Sequence, residues 1–540
     1  MDNYDIIILG GGISGLFLAY KLSEEDNRSV LLVEKADRYG GRIYTTTNKQ
    51  STYEAGAARF HSSHSKLIQL IQELELSDSI YQLPSICKHI LRNKERRYQY
   101  ATKNKLDLET LLVEAVSKKT EFENKHLHKI TFFQYLISVF DYETAVFMKD
   151  AFGYDSEFLE LNADAAIQMF EGDLFSENNY SVLMGGFSQV IEKLVSILEE
   201  RNNVKMYNNC ELESVDEKQI IIPQGKFKFG KLICAIPPSA LKQIDYFKDN
   251  EDLSAVKAIP LLRIYTKYPV KNKKVWFSDI KRTTTDNYIR HIIPIDYESG
   301  LIMISYTDGD YVSMWEQLYS CGEDVLIKHL HKEIKDLFKI PEPPEPEFLT
   351  FHLWNEGLHV WRPGYKMNDM YPKIQQPNKS VPIFICGESF SKKQGWIEGC
   401  LETCYDVINQ LNIPGLKMKS SKKSSNKLSE ESSEESSEKT YTIEEVVKHK
   451  DWIVFEVNKE KRIYDVSKWM EEDPKTKQVR HPGNRGGNKM LEKAVKATKD
   501  FYLYNKGKSP NELFNGGQHR GKLSKYLKEN KFITLVGKIK

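Results

Sequence analysis

The sequence predicts an α/β domain built on a buried sheet, interrupted by an inserted α+β domain and followed by a small separate α+β module. Three observations predict it. The run Asp5-Ile6-Ile7-Ile8-Leu9 reads as a buried strand, and it passes through Gly10-Gly11-Gly12-Ile13-Ser14-Gly15 into residues 14–22, where Leu16, Phe17, Ala19 and Tyr20 recur at helical spacing. Far downstream, Ile383-Phe384-Ile385 is a second buried strand leading into Gly387, with a long polar, aromatic and β-branched stretch between the two. After Leu416 the composition changes abruptly to Ser, Lys and Glu before apolar patterning resumes at Tyr441. A chain of 540 residues has the length for two or more domains.

A glycine loop between a strand and a helix N-terminus is where a pyrophosphate binds. Gly10 permits the tight turn, Gly12 lets the backbone approach the phosphates, and Gly15 lets the helix pack on the sheet, while Ser14 and the first amides of the helix face the negative charge. Residues 29–33 form a second strand that delivers Glu34, whose carboxylate can accept hydrogen bonds from a ribose and disfavours a 2′-phosphate. Strand, loop, helix, strand and acid in this order predict a Rossmann-type dinucleotide site.

The next two motifs decide which dinucleotide. Tyr39-Gly40-Gly41-Arg42-Ile43 follows directly, and then comes Tyr53-Glu54-Ala55-Gly56-Ala57-Ala58-Arg59-Phe60. A plain NAD domain needs no second glycine-arginine loop after its acid, whereas the longer FAD needs further backbone contacts. Gly41, Arg42, Ala58 and Arg59 join the cofactor-binding set. These segments resemble the GGR and E-x-G-A motifs of the flavin-containing amine oxidase family, which includes monoamine, polyamine and L-amino-acid oxidases.

The rest of the first 414 residues follows from that resemblance. A helix over 65–76 presents Leu67, Ile68, Leu70, Ile71 and Leu74 on one face. The FAD-binding parts are expected at about 1–84, 180–244 and 376–414, and the substrate parts at about 85–179 and 245–375. Leu183-Met184-Gly185-Gly186-Phe187 opens the second FAD part and leads to a helix over 189–198, a strand over 204–207, and residues 210–215, whose backbone at Cys210 is expected near the adenine. Trp354, Trp361 and Pro363-Gly364 resemble the family's W…PG region. Ile383 to Ser389 and Gln394-Gly395-Trp396-Ile397-Glu398-Gly399-Cys400 resemble its closing motif, a strand ending in G-E-[ST] and then G-[YW]-x-[DE]-G-A. The resemblance places Gly387 and Glu388 by the ribityl chain and Trp396 and Ile397 near the flavin ring. Trp396 and Trp361 are the candidate aromatic walls. The family's lysine near flavin N5 is matched by Arg263, a group that stays protonated and cannot serve as a neutral base. The cysteine pentapeptide that bonds FAD in monoamine oxidases is absent, so non-covalent FAD is expected.

Residues 415–440 are too polar to bury a core and read as a linker. Residues 441–540 then resemble cytochrome b5: Tyr441-Thr442-Ile443-Glu444-Glu445-Val446, Ile463-Tyr464-Asp465-Val466-Ser467-Lys468-Trp469 and His481-Pro482-Gly483-Asn484 follow that family's opening. The resemblance makes His481 one axial ligand of heme b, and Phe514-Asn515-Gly516-Gly517-Gln518-His519 makes His519 the other. The family's second glycine is Asn484 here, the loops are longer, and Met490, Tyr502 and Tyr504 compete with His519.

A formal net charge of +1 implies no nucleic-acid partner. Seven scattered cysteines without a CxxC pair read as reduced thiols, and with no signal peptide or membrane-length apolar run a cytoplasmic protein without direct membrane insertion is expected. His61, His64, His126 and His128 fit no metal set. The expected function is FAD-dependent oxidation of a C–N bond of an amine, amino acid or other reduced substrate, with electrons passed to the fused heme and from there to an external one-electron partner. The alternatives are a C–C desaturase of an apolar substrate and a non-catalytic binding module.

Overall fold

The computed structural model describes residues 2–24, 28–83, 88–91, 107–121, 126–174, 180–411, 440–441, 446, 452–457, 460–465 and 534–539. The chain divides into two compact units, Met1–Ser420 and Ser421–Lys540.

The first unit is organised on a seven-stranded sheet. β1 (Asp2–Leu9) runs parallel to β2 (Val30–Val33), and β2 runs parallel to β3 (Val204–Tyr207). On its other side β1 is parallel to β4 (Gly225–Cys234), which carries Ile383–Ile385 alongside its last residues. Antiparallel strands Gln219–Ile222 and Ser214–Val215 finish that edge. The near-continuous apolar run of β1 has its reason in this arrangement, because both faces are covered. Ile6 and Ile8 pack with Leu16, Phe17 and Leu401 on one side, while Ile7 and Leu9 pack with Leu232, Leu241 and Phe247 on the other. The first of these layers holds α1 (Ile13–Leu22) and α3 (Ile397–Gln410), the two helices whose N-termini end in the glycine loop and the closing motif.

Two expected elements are shorter than read. The helix at 65–76 is α2 (Ser65–Glu73), closed by Glu75 in the left-handed region at φ +60° and by the Leu76 N–H donating to the Ile71 carbonyl, a Schellman-type stop. Of residues 210–215 only Ser214–Val215 is strand. The Cys210 N–H goes instead to the carbonyl of Glu34, which ties this stretch to the end of β2.

The inserted domain has a six-stranded sheet. Its order is β7 (Phe348–Trp361), β5 (Val256–Lys267), β6 (Leu301–Asp308), His291–Asp296, Thr283–Thr285 and Lys88–Ile90, antiparallel except for the last pair. Strand alternation sorts β5 into two faces. Leu262 and Ile264 pack under the helices Asp310–Ser320 and Glu323–Phe338 with Trp315, Leu326 and Leu330. Arg263 and Tyr265 therefore face the other way, where Tyr265 packs with Tyr53 of the first domain.

In the second unit Thr440–Tyr441, Thr534–Ile539, Glu460–Asp465 and Trp452–Val457 form a four-stranded sheet in that order, with Val454, Ile463 and Tyr464 buried. His481 and His519, with Met490, Tyr502 and Tyr504, lie outside the described residues.

Candidate cofactor and active site

The glycine loop is built as its spacing demands. Gly10 sits at φ +102°, and a Cβ there would lie 2.5 Å from the Ala235 carbonyl oxygen. A Cβ on Gly15 would lie 1.8 Å from the Gly10 oxygen, so the start of α1 approaches the turn too closely for a side chain. Gly12 differs, since a Cβ there meets no atom within 4 Å. The second loop docks on the first: the Gly40 N–H donates to the Gly11 carbonyl at 2.8 Å. Arg38, which the sequence reading missed, holds that second loop by donating to the carbonyl of Gly41 at 2.7 Å while its guanidinium lies 4.3 Å over the Tyr44 ring. Glu34 accepts the N–H of Gly11 at 2.6 Å and of Ala36 at 2.8 Å, so the acid is fixed at the mouth of the loop. Cys210 is bound to the Glu34 carbonyl, and the two expected adenine-side residues are neighbours.

The two ends of the domain meet at Glu388. Its carboxylate, 3 % exposed, pairs with Arg42 at 2.7 Å and accepts the N–H groups of His359 at 3.0 Å and Gly395 at 2.7 Å. The His359 ring nitrogen Nδ1 lies 3.1 Å away. Burial alone would raise this carboxyl, but the Arg42 guanidinium and His359 override it and hold Glu388 well below the usual carboxylate range. Arg42 also donates to the Gly357 carbonyl at 3.1 Å. A Cβ on Gly387, at φ +125°, meets nothing within 4 Å.

Beyond Glu388 lies an aromatic corner. Trp396 is the residue before α3, and Tyr180 stacks on it at 6.0 Å with 19° between the ring planes. His64 meets Trp396 edge-on at 4.9 Å, and His61 meets Tyr180 at 5.1 Å. Burial, with Lys393 and His61 adding to it, pushes His64 down to about 3, so it is neutral. Ile397 opens α3, and the next residue, Glu398, is 1 % exposed and accepts the N–H groups of Lys66 and Leu67 at the start of α2. That contact is the physical reason for an acid in the closing motif.

Arg59 leans on this corner, its guanidinium 4.8 Å from the Tyr180 ring centre and 6.0 Å from that of Trp396. Burial disfavours its charge, but the neighbouring Tyr154, Tyr180 and Tyr306 outweigh this and raise it above the usual guanidinium value, and a guanidinium stays protonated in a protein in any case. No hydrogen bond or carboxylate holds it among the described residues. Ala58, beside it, is partly buried.

Arg263 is placed differently. It is 9 % exposed and donates to the backbone carbonyls of Glu54, at 3.0 Å, and Gly56, with its guanidinium 4.7 Å over the Tyr306 ring. Trp361 is not brought to the Trp396 corner by any ring contact. It is 1 % exposed in the apolar core, and its indole N–H donates to the Ser391 carbonyl at 3.0 Å. Tyr154 and Tyr180 were missed by sequence reasoning, because only long-range packing brings these lone tyrosines, one between two helices and one at the start of the strand Tyr180–Leu183, to the motifs. His359 was missed for the same reason.

The flavin containing amine oxidoreductase profile matches residues 13–407, well over half of the chain. The chain belongs to this family. Like other flavin-containing amine oxidases it is an enzyme with FAD as its cofactor, and the open space beside Gly12 and Gly387 fits that group. Uncharacterized protein R188 of Acanthamoeba polyphaga mimivirus is 20 % identical over 489 residues, covering 75 % of this chain and 93 % of that one. Flavin-containing amine oxidase A of Equus caballus is 42 % identical over 74 residues, 14 % of either chain. A redesigned putrescine oxidase has the same fold at 15 % identity, with a TM-score of 0.60 over 76 % of this chain and 99 % of that one. The wild-type putrescine oxidase, bound to putrescine, gives 0.57 at 15 % identity over 74 % of this chain and 97 % of that one. Among the described residues no helix is long and apolar enough to cross a membrane.

Proposed function

We propose that this amine oxidoreductase oxidises the C–N bond of an amine that carries an anionic group, an amino acid being the simplest case, with FAD held without a covalent bond. The observation that carries this reading is Arg59, a protonated side chain on an aromatic corner with no acidic partner among the described residues. FAD, when bound, supplies the acceptor for the hydride equivalent. Gly10, Gly12, Ser14, Gly15 and Gly41 would hold its diphosphate, Glu34 and Cys210 its adenosine end, and Arg42, Gly387 and Glu388 the middle. Ala58 and Ile397 would line its ring beside Trp396.

The surrounding side chains set the charge state of the substrate. Trp396 and Tyr180 give a flat wall for an apolar or aromatic side chain, and Arg59 can pair with a carboxylate. Two guanidinium groups nearby disfavour an ammonium and favour the neutral amine, whose lone pair is needed for oxidation. The side chains around Arg59 named above are aromatic or cationic, which suits a carboxylate better than the second ammonium of a diamine such as putrescine.

Anaerobic titration of the FAD-loaded enzyme with amino acids, monoamines and putrescine tests this. Bleaching of the flavin by amino acids is expected, and bleaching by putrescine alone would overturn it. The fused C-terminal unit motivates a second part: His481 and His519 would hold heme b, a group that would supply one-electron transfer toward an external partner. The observation behind it is the pair of sequence segments His481-Pro482-Gly483 and Gly516-Gly517-Gln518-His519. The full-length protein should show a Soret band that is lost in His481→Ala and perturbed in His519→Ala. A heme-supplemented preparation with no Soret band rejects the heme, and flavin bleaching without heme reduction rejects the transfer.

A further inference from the structure

Three consecutive carbonyls, those of Glu54, Ala55 and Gly56, are each taken by a side chain of the inserted sheet. Arg263 of β5 donates to Glu54 at 3.0 Å and to Gly56, Tyr265 of β5 donates to Glu54 at 2.7 Å, and Trp354 of β7 donates to Ala55 at 2.7 Å. The other edge of the same loop is pinned to the first domain. The N–H groups of Ala55 and Gly56 donate to Tyr44, and that of Ala57 donates to Arg42 at 2.9 Å. A Cβ on Gly56 would lie 1.9 Å from the Arg42 oxygen, so no side chain fits between. The loop runs directly to Arg59, and Phe60 is again fixed by pairing with Ser181. Arg59 is thus suspended between two anchored points, one of them made by Arg263, Tyr265 and Trp354.

We propose that Arg263 is a positioning residue: with Tyr265 and Trp354 it clamps the Glu54–Gly56 backbone and so sets where Arg59 presents its guanidinium to the substrate's anionic group. The proposal rests on the reading of Arg59 as the anion receptor. One nitrogen, Nη1, donates to both carbonyls, and the planar guanidinium that carries it is held over the Tyr306 ring; the flexible stem and point charge of a lysine lack that planar seat. The Tyr306 face and the Glu54 and Gly56 carbonyls engage Arg263, whereas no hydrogen bond or carboxylate among the described residues engages Arg59.

The test uses the FAD-loaded full chain and two probes of the same shape, benzoate and benzamide, with binding read from the flavin absorbance. The wild type should prefer benzoate. Arg263→Lys should reduce that preference by about tenfold while leaving benzamide binding unchanged, and in an Arg59→Met background it should have no further effect. Trp354→Phe, which removes one donor and keeps the ring packing, carries the same test if Arg263→Lys folds poorly. An unchanged preference in both variants, or effects that multiply with Arg59→Met, overturns the clamp while the reading of Arg59 stands. A wild type with no preference for benzoate overturns the reading of Arg59, and the clamp's role with it.

Discussion

Arg42 and Glu388, 346 residues apart in the sequence, form a 2.7 Å ion pair that joins the two ends of the cofactor domain. Glu388 is almost wholly buried and Arg42 a third exposed, so removal of the arginine strands a charge. Arg42→Ala is expected to destabilise the fold by about 3 kcal/mol, measured by denaturant unfolding. The pH dependence follows from the depressed carboxyl: its stabilisation is complete above the ordinary value of 4.5 and is lost as pH falls below it toward the lower folded value. Glu388→Gln should flatten acid unfolding in that window, and an unaltered acid limb would reject the pairing as its cause.

His64 acts over a different range. Its folded value of about 3 lies below the ordinary 6.5, so between these limits the unfolded chain binds a proton that the folded chain does not. Stability should therefore fall as pH drops from about 6.5 to about 3, by roughly 3–5 kcal/mol in total. His64→Phe keeps a ring against Trp396 and should remove this slope in thermal melts between pH 4 and 6, a range of about two units chosen to lie inside that window.

Two glycines of one loop should behave oppositely. Gly15→Ala puts a methyl group against the Gly10 carbonyl and is expected to cost about 1–3 kcal/mol of stability. Gly12→Ala meets no protein atom and should leave the melting temperature of the FAD-free protein unchanged, while weakening FAD binding by at least about tenfold. Equal FAD affinity in Gly12→Ala, measured by flavin fluorescence quenching, would move the diphosphate elsewhere.

The two candidate tryptophans should also separate. Trp361→Phe loses the hydrogen bond to Ser391 and is expected to lower stability by about 1–2 kcal/mol with kcat/KM little changed. Trp396→Ala removes the wall that Tyr180 stacks on and should lower kcat/KM by about tenfold or more with the better substrates. A Trp361 variant with the larger kinetic defect would reverse these roles.

The cofactor end of the site was legible because its chemistry is local. Gly10, Gly12, Gly15 and Glu34 lie within one strand, loop, helix and strand; Gly10 and Gly15 have steric reasons inside the protein, and Gly12 leaves open space on the side where the spacing expects the phosphates. Arg42 and Glu388 were legible as members of separate motifs, but nothing in either motif announces that they pair. The substrate end was less legible. Tyr180, Tyr154 and His359 are single residues without a pattern, placed by the crossing of two domains. Arg263 shows the limit from the other side: its alternation with Leu262 and Ile264 assigns it to the face away from the helices, yet only the fold reveals that its partners there are main-chain carbonyls.

The anchoring of residues 54–56 through their carbonyls also bears on how such an enzyme changes its substrate. A carbonyl is offered by every residue type, so the donors of β5 and β7 grip the loop without reading its side chains. Apart from Gly56 and the fully buried Ala55, the positions from Ala57 to Arg59 can therefore be exchanged without loosening the attachment. The arrangement separates holding from choosing, and that gives a lineage, or a protein engineer, a short stretch in which specificity can drift while the frame stays put.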